Sequence, residues 1–364
     1  MPIKDLHDEK PFDSATITKL EIFENYLTEW LPTFIYSKNN NELNICDFFA
    51  GPGEDIMGMP GSPLRILEVL KKFETDIKQQ KIKINLILNE QKKWKHDVLI
   101  KNIMDKTTSF NNEFQKRIKI HFFKEDFQNL FPRIKNNIIN GPNLLFFDQN
   151  GVKHITLNLI NELESFHQTD YLFFISSAFF KRFTFENIFP DLKFNKDDVK
   201  SKDIHRTIVE QFRTLLPQDS KTRLYHFSIK KNKNIHGLVF GSKHLLAVQK
   251  FLTVAWNKNK INGEANFDID EDLDKQLDLF SRKPKITKLQ KFEHNLNLFI
   301  KEKKVFTNQD IFHYTLEKGF TPKHATAVLK KLKNSNHIEH FSYAKIGYNQ
   351  IYKYNEIITF RYIK

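Results

Sequence analysis

Cysteine is almost missing from this chain. Cys46 is the only one among 364 residues, which excludes an internal disulfide and any metal site built from clustered cysteines and suits a reducing compartment. Long apolar runs are missing too. The nearest to one, residues 171–180, is strand-length and far short of the ~20 residues a membrane helix needs. Residues 1–12 are charged and lack the apolar core of a secretory signal. These absences set the expectation of a soluble, cytoplasmic protein. There is no internal repeat or low-complexity tract, and no His-Glu-x-x-His pattern or His/Cys cluster to mark a metal centre. Glycine is scarce, with eleven in all, yet Gly51, Gly53, Gly58 and Gly61 fall within one short stretch.

What the chain does have is apolar bulk: 40% hydrophobic residues, with 36 phenylalanines, enough for a sizeable core and incompatible with wholesale disorder. Its length favours two domains. The net charge of +13 is unevenly spread, because residues 286–364 hold 14 Lys plus Arg against 6 Asp plus Glu. A compact basic module of that kind attracts nucleic acid; the alternative is a solubilising lysine-rich surface.

Periodicity orders the rest. Residues 17–36 place apolar side chains at three-to-four spacing, the mark of an amphipathic helix that packs on a sheet. Apolar runs at 43–47, 82–88, 118–123, 144–147 and 171–176 alternate with helical stretches, which implies a parallel sheet covered on both faces. Residues 223–229 and 236–240, joined by a polar turn, read as a hairpin, and a helix over 244–256 follows. An α/β sheet that is mostly parallel and ends in an antiparallel hairpin is the signature of the Rossmann-like class I methyltransferase fold. Residues 257–284 are polar and acid-rich, a linker that folds in part against one domain. Next come helices at 289–300, 310–316 and 323–333, then strands at 338–343 and 350–354 around Gly347. That order predicts a C-terminal winged helix-turn-helix domain, a module used both for major-groove contact and for protein docking. The expected domains are 1–258, a linker at 259–285, and 286–364.

The chemistry concentrates at strand ends, where ligands bind in doubly wound sheets. The first strand ends at Asp47 and runs into a turn at Gly51 and Gly53, whose missing Cβ atoms let a ligand approach the backbone. Ser62 as N-cap and Pro63 as first helical residue then aim a helix N-terminus at that turn; the alternative is a purely structural corner. Asp47 either ties down the turn or meets a ligand amine. Glu90, after the second strand, is placed to accept hydrogen bonds from ribose hydroxyls; the alternatives are its neighbour Gln91 or a surface position for Glu90 itself. Asp126, after the third, is placed to contact an adenine amino group, or caps the next helix. Asp148-Gln149-Asn150-Gly151 stands where amino-methylating enzymes carry an acid or amide, two prolines and an aromatic. The prolines and the aromatic are absent here, so Asp148 is either a general base or polar anchor, or a helix cap. Lys323, His324, Lys330 and Lys331 on the third C-terminal helix are the nucleic-acid-binding candidates. Cys46, inside a buried strand, is unsuited to cytosine C5 methylation, and no carboxylate spacing singles out a nuclease metal site.

Several of these segments together resemble the three-Cys-motif partner protein family. They are Thr18-Lys19-Leu20-Glu21-Ile22 with Trp30-Leu31-Pro32, Asp47-Phe48-Phe49-Ala50-Gly51-Pro52-Gly53 with Gly61-Ser62-Pro63-Leu64, Leu238-Val239-Phe240-Gly241-Ser242-Lys243-His244 through Ala255-Trp256, and Thr321-Pro322-Lys323-His324-Ala325. The resemblance implies a methyltransferase-like domain with S-adenosylmethionine as cofactor, plus a winged helix. It also implies a partner encoded next door, bearing three cysteines and resembling radical S-adenosylmethionine proteins, and a setting among mobile elements and phage-defence loci. Where relatives tend to show Asp-Pro-Phe-Gly, this chain has Asp148-Gln149-Asn150-Gly151, a departure that blocks a direct transfer of catalytic roles. Three expectations follow: a methyl-donor-binding protein acting on or near DNA or RNA, a catalytically inactive scaffold docking the partner, or a nuclease or toxin component of a defence system.

Overall fold

The computed structural model describes residues 10–38, 40–149, 154, 156–176, 202–232, 234–273, 286–339 and 345–363. The chain divides into two compact units, Met1–His244 and Leu245–Lys364.

The first unit opens with α1 (Ser14–Ile35) and β1 (Glu42–Asp47), followed by α2 (Ser62–Lys72), α3 (Glu74–Gln79), β2 (Lys83–Asn89), α4 (Lys93–Thr107) and α5 (Asn112–Gln115). It continues through β3 (Ile118–Phe123), α6 (Phe127–Ile138), β4 (Pro142–Phe147), α7 (Leu157–Glu164), β5 (Gln168–Ser176), α8 (Ile204–Leu215), β6 (Arg223–Lys231) and β7 (Asn234–Ser242). The seven strands form one sheet in the order β3-β2-β1-β4-β5-β7-β6. β1 to β5 are parallel, and β7 runs antiparallel between β5 and β6. This is the expected class I methyltransferase architecture. The switch point lies at β1, from which the chain moves outward first through β2 and β3 and later through β4 and β5, so ligands belong at the carboxyl ends of β1, β2 and β4.

Both faces are apolar because successive side chains of a strand point to opposite sides. On β4, Phe146 stacks on Phe23 of α1 with centroids 4.2 Å apart, and its neighbour Phe147 stacks on Phe48 at 5.0 Å on the other face. Phe127 and Phe131 of α6 close over Phe48. α1 is further fixed by the buried Tyr26 hydroxyl, which donates to Asp170 on β5 (2.7 Å). At the opposite, amino edge of the sheet a polar ladder crosses four strands. Asn85 donates to Asn44 (2.9 Å), Asn44 to Asn143 (2.9 Å), and Asn143 to the Thr169 hydroxyl (2.8 Å).

The second unit holds α9 (Leu245–Lys258), α10 (Lys288–Lys303), β8 (Val305–Thr307), α11 (Asn308–Glu317), α12 (Pro322–Asn334), β9 (Ile338–Glu339) and β10 (Thr359–Tyr362). The three strands pair antiparallel in the order β8-β10-β9. Three helices and this small sheet make the winged helix-turn-helix domain. α9, expected to close the first domain, lies in the second unit: Trp256 donates to the Gly319 carbonyl (2.9 Å), packs on Phe320 and His324, and leaves no room for a Cβ at Gly263. Residues 259–273, read from sequence as linker, are hydrogen-bonded into the same unit through Asn259, Asn262 and Asp272; residues 274–285 lie outside the described residues.

Two local expectations are corrected. The N-cap of α2 is Gly61, not Ser62; Ser62 is the first helical residue and Pro63 the second. The strand expected over 350–354 is a π-helical turn, Asn349–Lys353, and the strand of the wing is β10 further on. Asn308 ties the flanks of this turn together by donating to the Lys345 and Glu356 carbonyls and accepting from the Ile358 N–H.

Candidate functional site

The carboxyl ends of β1, β2 and β4 bring together Asp47, Gly51, Glu90 and Asp148. Gly51 sits at φ +62° with open space where a Cβ would be, so the turn presents bare backbone outward. At Gly53 a Cβ would sit in ordinary contact with Leu99 and Asn102 of α4, 3.5 and 3.6 Å away, so it is the backbone at φ +94° that calls for glycine there. Asn102 completes that contact by donating to the Pro52 carbonyl (3.0 Å). At Gly61 a Cβ would meet the Gly53 carbonyl at 3.0 Å, which favours glycine at the far end of the loop.

Glu90 reaches back across the sheet to this turn. One carboxylate oxygen accepts from the Gly51 N–H (3.1 Å) and the other from the Lys92 N–H (2.7 Å). Burial raises its pKa, against the pull of the two N–H donors and of the Lys95 and Lys92 ammonium groups. The backbone beneath is pinned by Asn89, fully buried, whose amide bonds the Phe48 and Glu125 carbonyls and accepts from the Glu125 N–H. The sequence gives no hint of that role, since an Asn before a turn most often turns the backbone locally.

Asp47 is completely buried. Burial pushes its pKa up to about 7, and Asp148 adds to the shift; Ser62, the Phe49 N–H (3.2 Å) and Lys19 oppose it. Its Oδ2 makes no well-aligned hydrogen bond. Asp47 therefore anchors the start of the glycine turn, its carboxyl held above the usual carboxylate range by burial.

Asp148 is held by Lys19 of α1, whose ammonium lies 2.6 and 2.5 Å from its two carboxylate oxygens and 4.4 Å from the Phe174 ring centroid. Lys19 is buried, an uncommon position for lysine unless paired. Nothing in the sequence marks Lys19 as a site residue; it appears there only within the Thr18-Lys19-Leu20 segment that carries the family resemblance. Gln149 points away and accepts the His154 N–H (2.8 Å), while Asn150 and Gly151 lie outside the described residues. Asp126 caps α6, accepting the Gln128 N–H (2.8 Å). Cys46 is buried and its thiol pKa is raised by that burial. Among the described residues no group of three His, Cys, Asp or Glu is placed to hold a metal ion, and no helix is long and apolar enough to cross a membrane.

On α12 the candidates divide. Lys323 and Lys330 lie on the exposed face, Lys331 is exposed but paired with Glu293 (2.6 Å), and His324 turns inward. The His324 ring packs on Trp256 at 4.2 Å and accepts the Thr321 N–H (3.1 Å) as part of a capping box; burial and the nearby Lys323 and Lys288 push its pKa down to about 4.

Residues 266–342 match the family model described as a GMT-like wHTH domain. Trm1 from Pyrococcus horikoshii, solved with S-adenosyl-L-methionine, is similar over 64% of this chain and 56% of its own, with 9% identity and a TM-score of 0.35. The METTL16 MTase domain is similar over 60% and 66%, with 9% identity and a TM-score of 0.29. A putative methyltransferase from Thermoplasma acidophilum is similar over 56% and 67%, with 9% identity and a TM-score of 0.24. No curated protein matches the sequence.

Proposed function

We propose that the protein binds S-adenosylmethionine at the glycine turn and acts as a methyltransferase-like protein whose winged helix brings it to nucleic acid. The observation that carries this reading is Glu90, fixed by the Gly51 and Lys92 N–H groups beside a turn whose outer side is open. A carboxylate held there keeps lone pairs for vicinal hydroxyls, and the open backbone at Gly51 accepts a close-lying polar chain. In this reading Glu90 holds the ribose, and Gly51, with Gly53 shaping the turn, lies along the donor's amino-acid end. Asp47 braces the turn from below, and Asp126 keeps a carboxylate oxygen for the adenine edge. When bound, the cofactor supplies an electrophilic methyl group on a sulfonium. Asp148 faces the acceptor, and Lys19 keeps it oriented and charge-compensated. The resemblance to three-Cys-motif partner proteins supplies the proposed partner, a three-cysteine protein, and the setting, a mobile-element or defence locus.

Isothermal calorimetry of the full chain with S-adenosylhomocysteine is expected to show binding that weakens about tenfold or more in Glu90→Ala, the loss of one charged hydrogen-bond acceptor. Absence of heat with the unaltered protein would overturn the cofactor assignment.

A second reading rests on the Lys19–Asp148 pair. A carboxylate gripped through both oxygens by a buried ammonium is a poor general base, and that favours a scaffold that binds the donor or the partner without transferring a methyl group. Donor binding with no methyl transfer to DNA, RNA or the co-expressed partner, unchanged in Asp148→Asn, is its expected signature.

A further inference from the structure

The second unit carries a groove between α10, the end of α12 and β10, with a volume of about 220 Å³. Asn297, Lys301, Lys331, Leu332, His337 and Tyr362 line it. Drug-sized ligands occupy roughly 300–1,000 Å³, so this space suits a smaller molecule. Leu332 is buried and gives the groove an apolar patch. The Tyr362 ring is steadied by near-parallel stacking on His337, with centroids 5.9 Å apart and planes 13° apart.

The end of α12 closes without help from the rest of the lining. The N–H groups of Asn336 and His337 return to the Lys333 and Leu332 carbonyls (2.9 Å each), with Asn336 in the left-handed region at φ +56°. The Ser335 hydroxyl covers the Lys331 and Leu332 carbonyls (2.9 and 3.2 Å). The helix's last acceptors are thereby satisfied, and the polar side chains facing the groove from α10 are not needed as caps.

Two of those side chains are unspent. Asn297 and Lys301 lie one turn apart on the same stripe of α10. Asn297 Oδ1 is shielded from water and accepts no hydrogen bond among the described residues, a condition that folded proteins avoid unless something else supplies the donor. Lys331 is committed to Glu293, its ammonium 2.8 and 2.6 Å from the two carboxylate oxygens. Lys301 is exposed, and among the described residues no acid pairs with it. Lys301 is therefore the cation of the groove that is open to an anion.

An acceptor lacking a donor, an ammonium lacking an anion and an aromatic wall beside a leucine match the chemistry of a phosphorylated sugar, which brings hydroxyls, a phosphate and a C–H face. We propose that this groove binds a phosphorylated pentose, the sugar-phosphate unit of a nucleotide, with a hydroxyl on Asn297 Oδ1 and the phosphate on Lys301. Both a free sugar phosphate and the phosphorylated 5′ end of a strand carry that unit. The inference does not rest on the donor site, whose residues belong to the first unit.

The test is calorimetric titration of the full chain with ribose 5-phosphate. Saturable binding is expected, weakened about tenfold in Lys301→Ala by loss of a charge-assisted contact, and about fivefold in Asn297→Leu. Asn297→Leu should also leave the thermal unfolding midpoint unchanged or raised, since the oxygen it removes has no partner in the fold; a lowered midpoint would show that Asn297 is spent on structure and would overturn the proposal. Binding should persist in Glu90→Ala and in Lys323→Ala with Lys330→Ala. Its loss in the first would assign the ligand to the donor site, and its loss in the second to the exposed basic face, and either result would overturn the proposal. Absence of binding, affinity unchanged in Lys301→Ala, or ribose or inorganic phosphate binding as tightly as ribose 5-phosphate would overturn it as well. Displacement of ribose 5-phosphate by a 5′-phosphorylated oligothymidylate, but not by its 5′-hydroxyl copy, would support the end of a strand as the source; displacement by neither would support the free sugar phosphate.

Discussion

Asp47 shows how a single side chain can carry opposite charges of meaning. A carboxyl at a strand end invites a ligand role, but complete burial lifts its pKa from 3.8 to about 7, so near neutrality it is partly a neutral acid. The sign of the pH effect follows. The folded form holds its proton more tightly than the unfolded chain, so this stabilisation is full below about pH 4 and is lost as pH rises towards 7. Asp47→Asn should therefore flatten the fall in urea midpoint between those limits, and parallel profiles for the two proteins would contradict the burial argument. Lys19 and Asp148 make the complementary case, since removing one partner strands the other charge. Lys19→Met should cost about 3 kcal/mol in chemical denaturation, and adding Asp148→Asn should recover much of it. Equal losses in the single and double variants would show that the pair is not coupled. At this scale the place of Glu90 at the end of the second strand was legible, but not its reach to the Gly51 N–H, since no glycine adjoins it in sequence. Ser62 and Asp126 were less so, because a short polar side chain before a helix serves as cap or ligand contact with the same sequence signal.

At the scale of elements, hydrophobic period located most of the strands and helices, and it failed where polar bonds decide. The Asn85–Asn44–Asn143–Thr169 ladder interrupts four apolar strands without breaking them. Each amide satisfies the next, and the parallel register places Asn44 opposite both Asn85 and Asn143. Asn143→Leu should lose about 2 kcal/mol, because the Asn44 amide N–H loses its acceptor and the Thr169 hydroxyl its donor in the interior; an unchanged unfolding midpoint would show the ladder to be dispensable. The π-helical turn at Asn349–Lys353 was illegible for a related reason, its alternating Ile and Tyr residues mimicking a strand. On α12 the capping histidine gives the opposite pH sign to Asp47. His324 is held neutral, with its pKa lowered from 6.5 to about 4, so the second unit should lose stability as pH falls through that interval. His324→Gln keeps an acceptor for the Thr321 N–H and should lose less over the same range in thermal unfolding.

For the whole molecule, length raised the expectation of two domains, and the fold class followed from strands and helices in order. The allegiance of α9 did not, because an amphipathic pattern shows that a face is buried without showing what buries it. Trp256, Gly263 and His324 settle that membership in the second unit, and no period in the sequence links those three. Of the four candidates on α12, Lys323 and Lys330 stand exposed, whereas Lys331 is paired with Glu293 and His324 is half-buried against Trp256. If that face grips duplex phosphates, Lys323→Ala with Lys330→Ala should reduce the slope of log affinity against log salt by about 2. An unaltered slope would move the contact elsewhere. The most direct test of the central claim is a structure of the full chain determined with S-adenosylhomocysteine. The account predicts ribose hydroxyls on Glu90 and the amino-acid end along Gly51; a ligand bound away from this turn, or no ligand at saturating concentration, would contradict it.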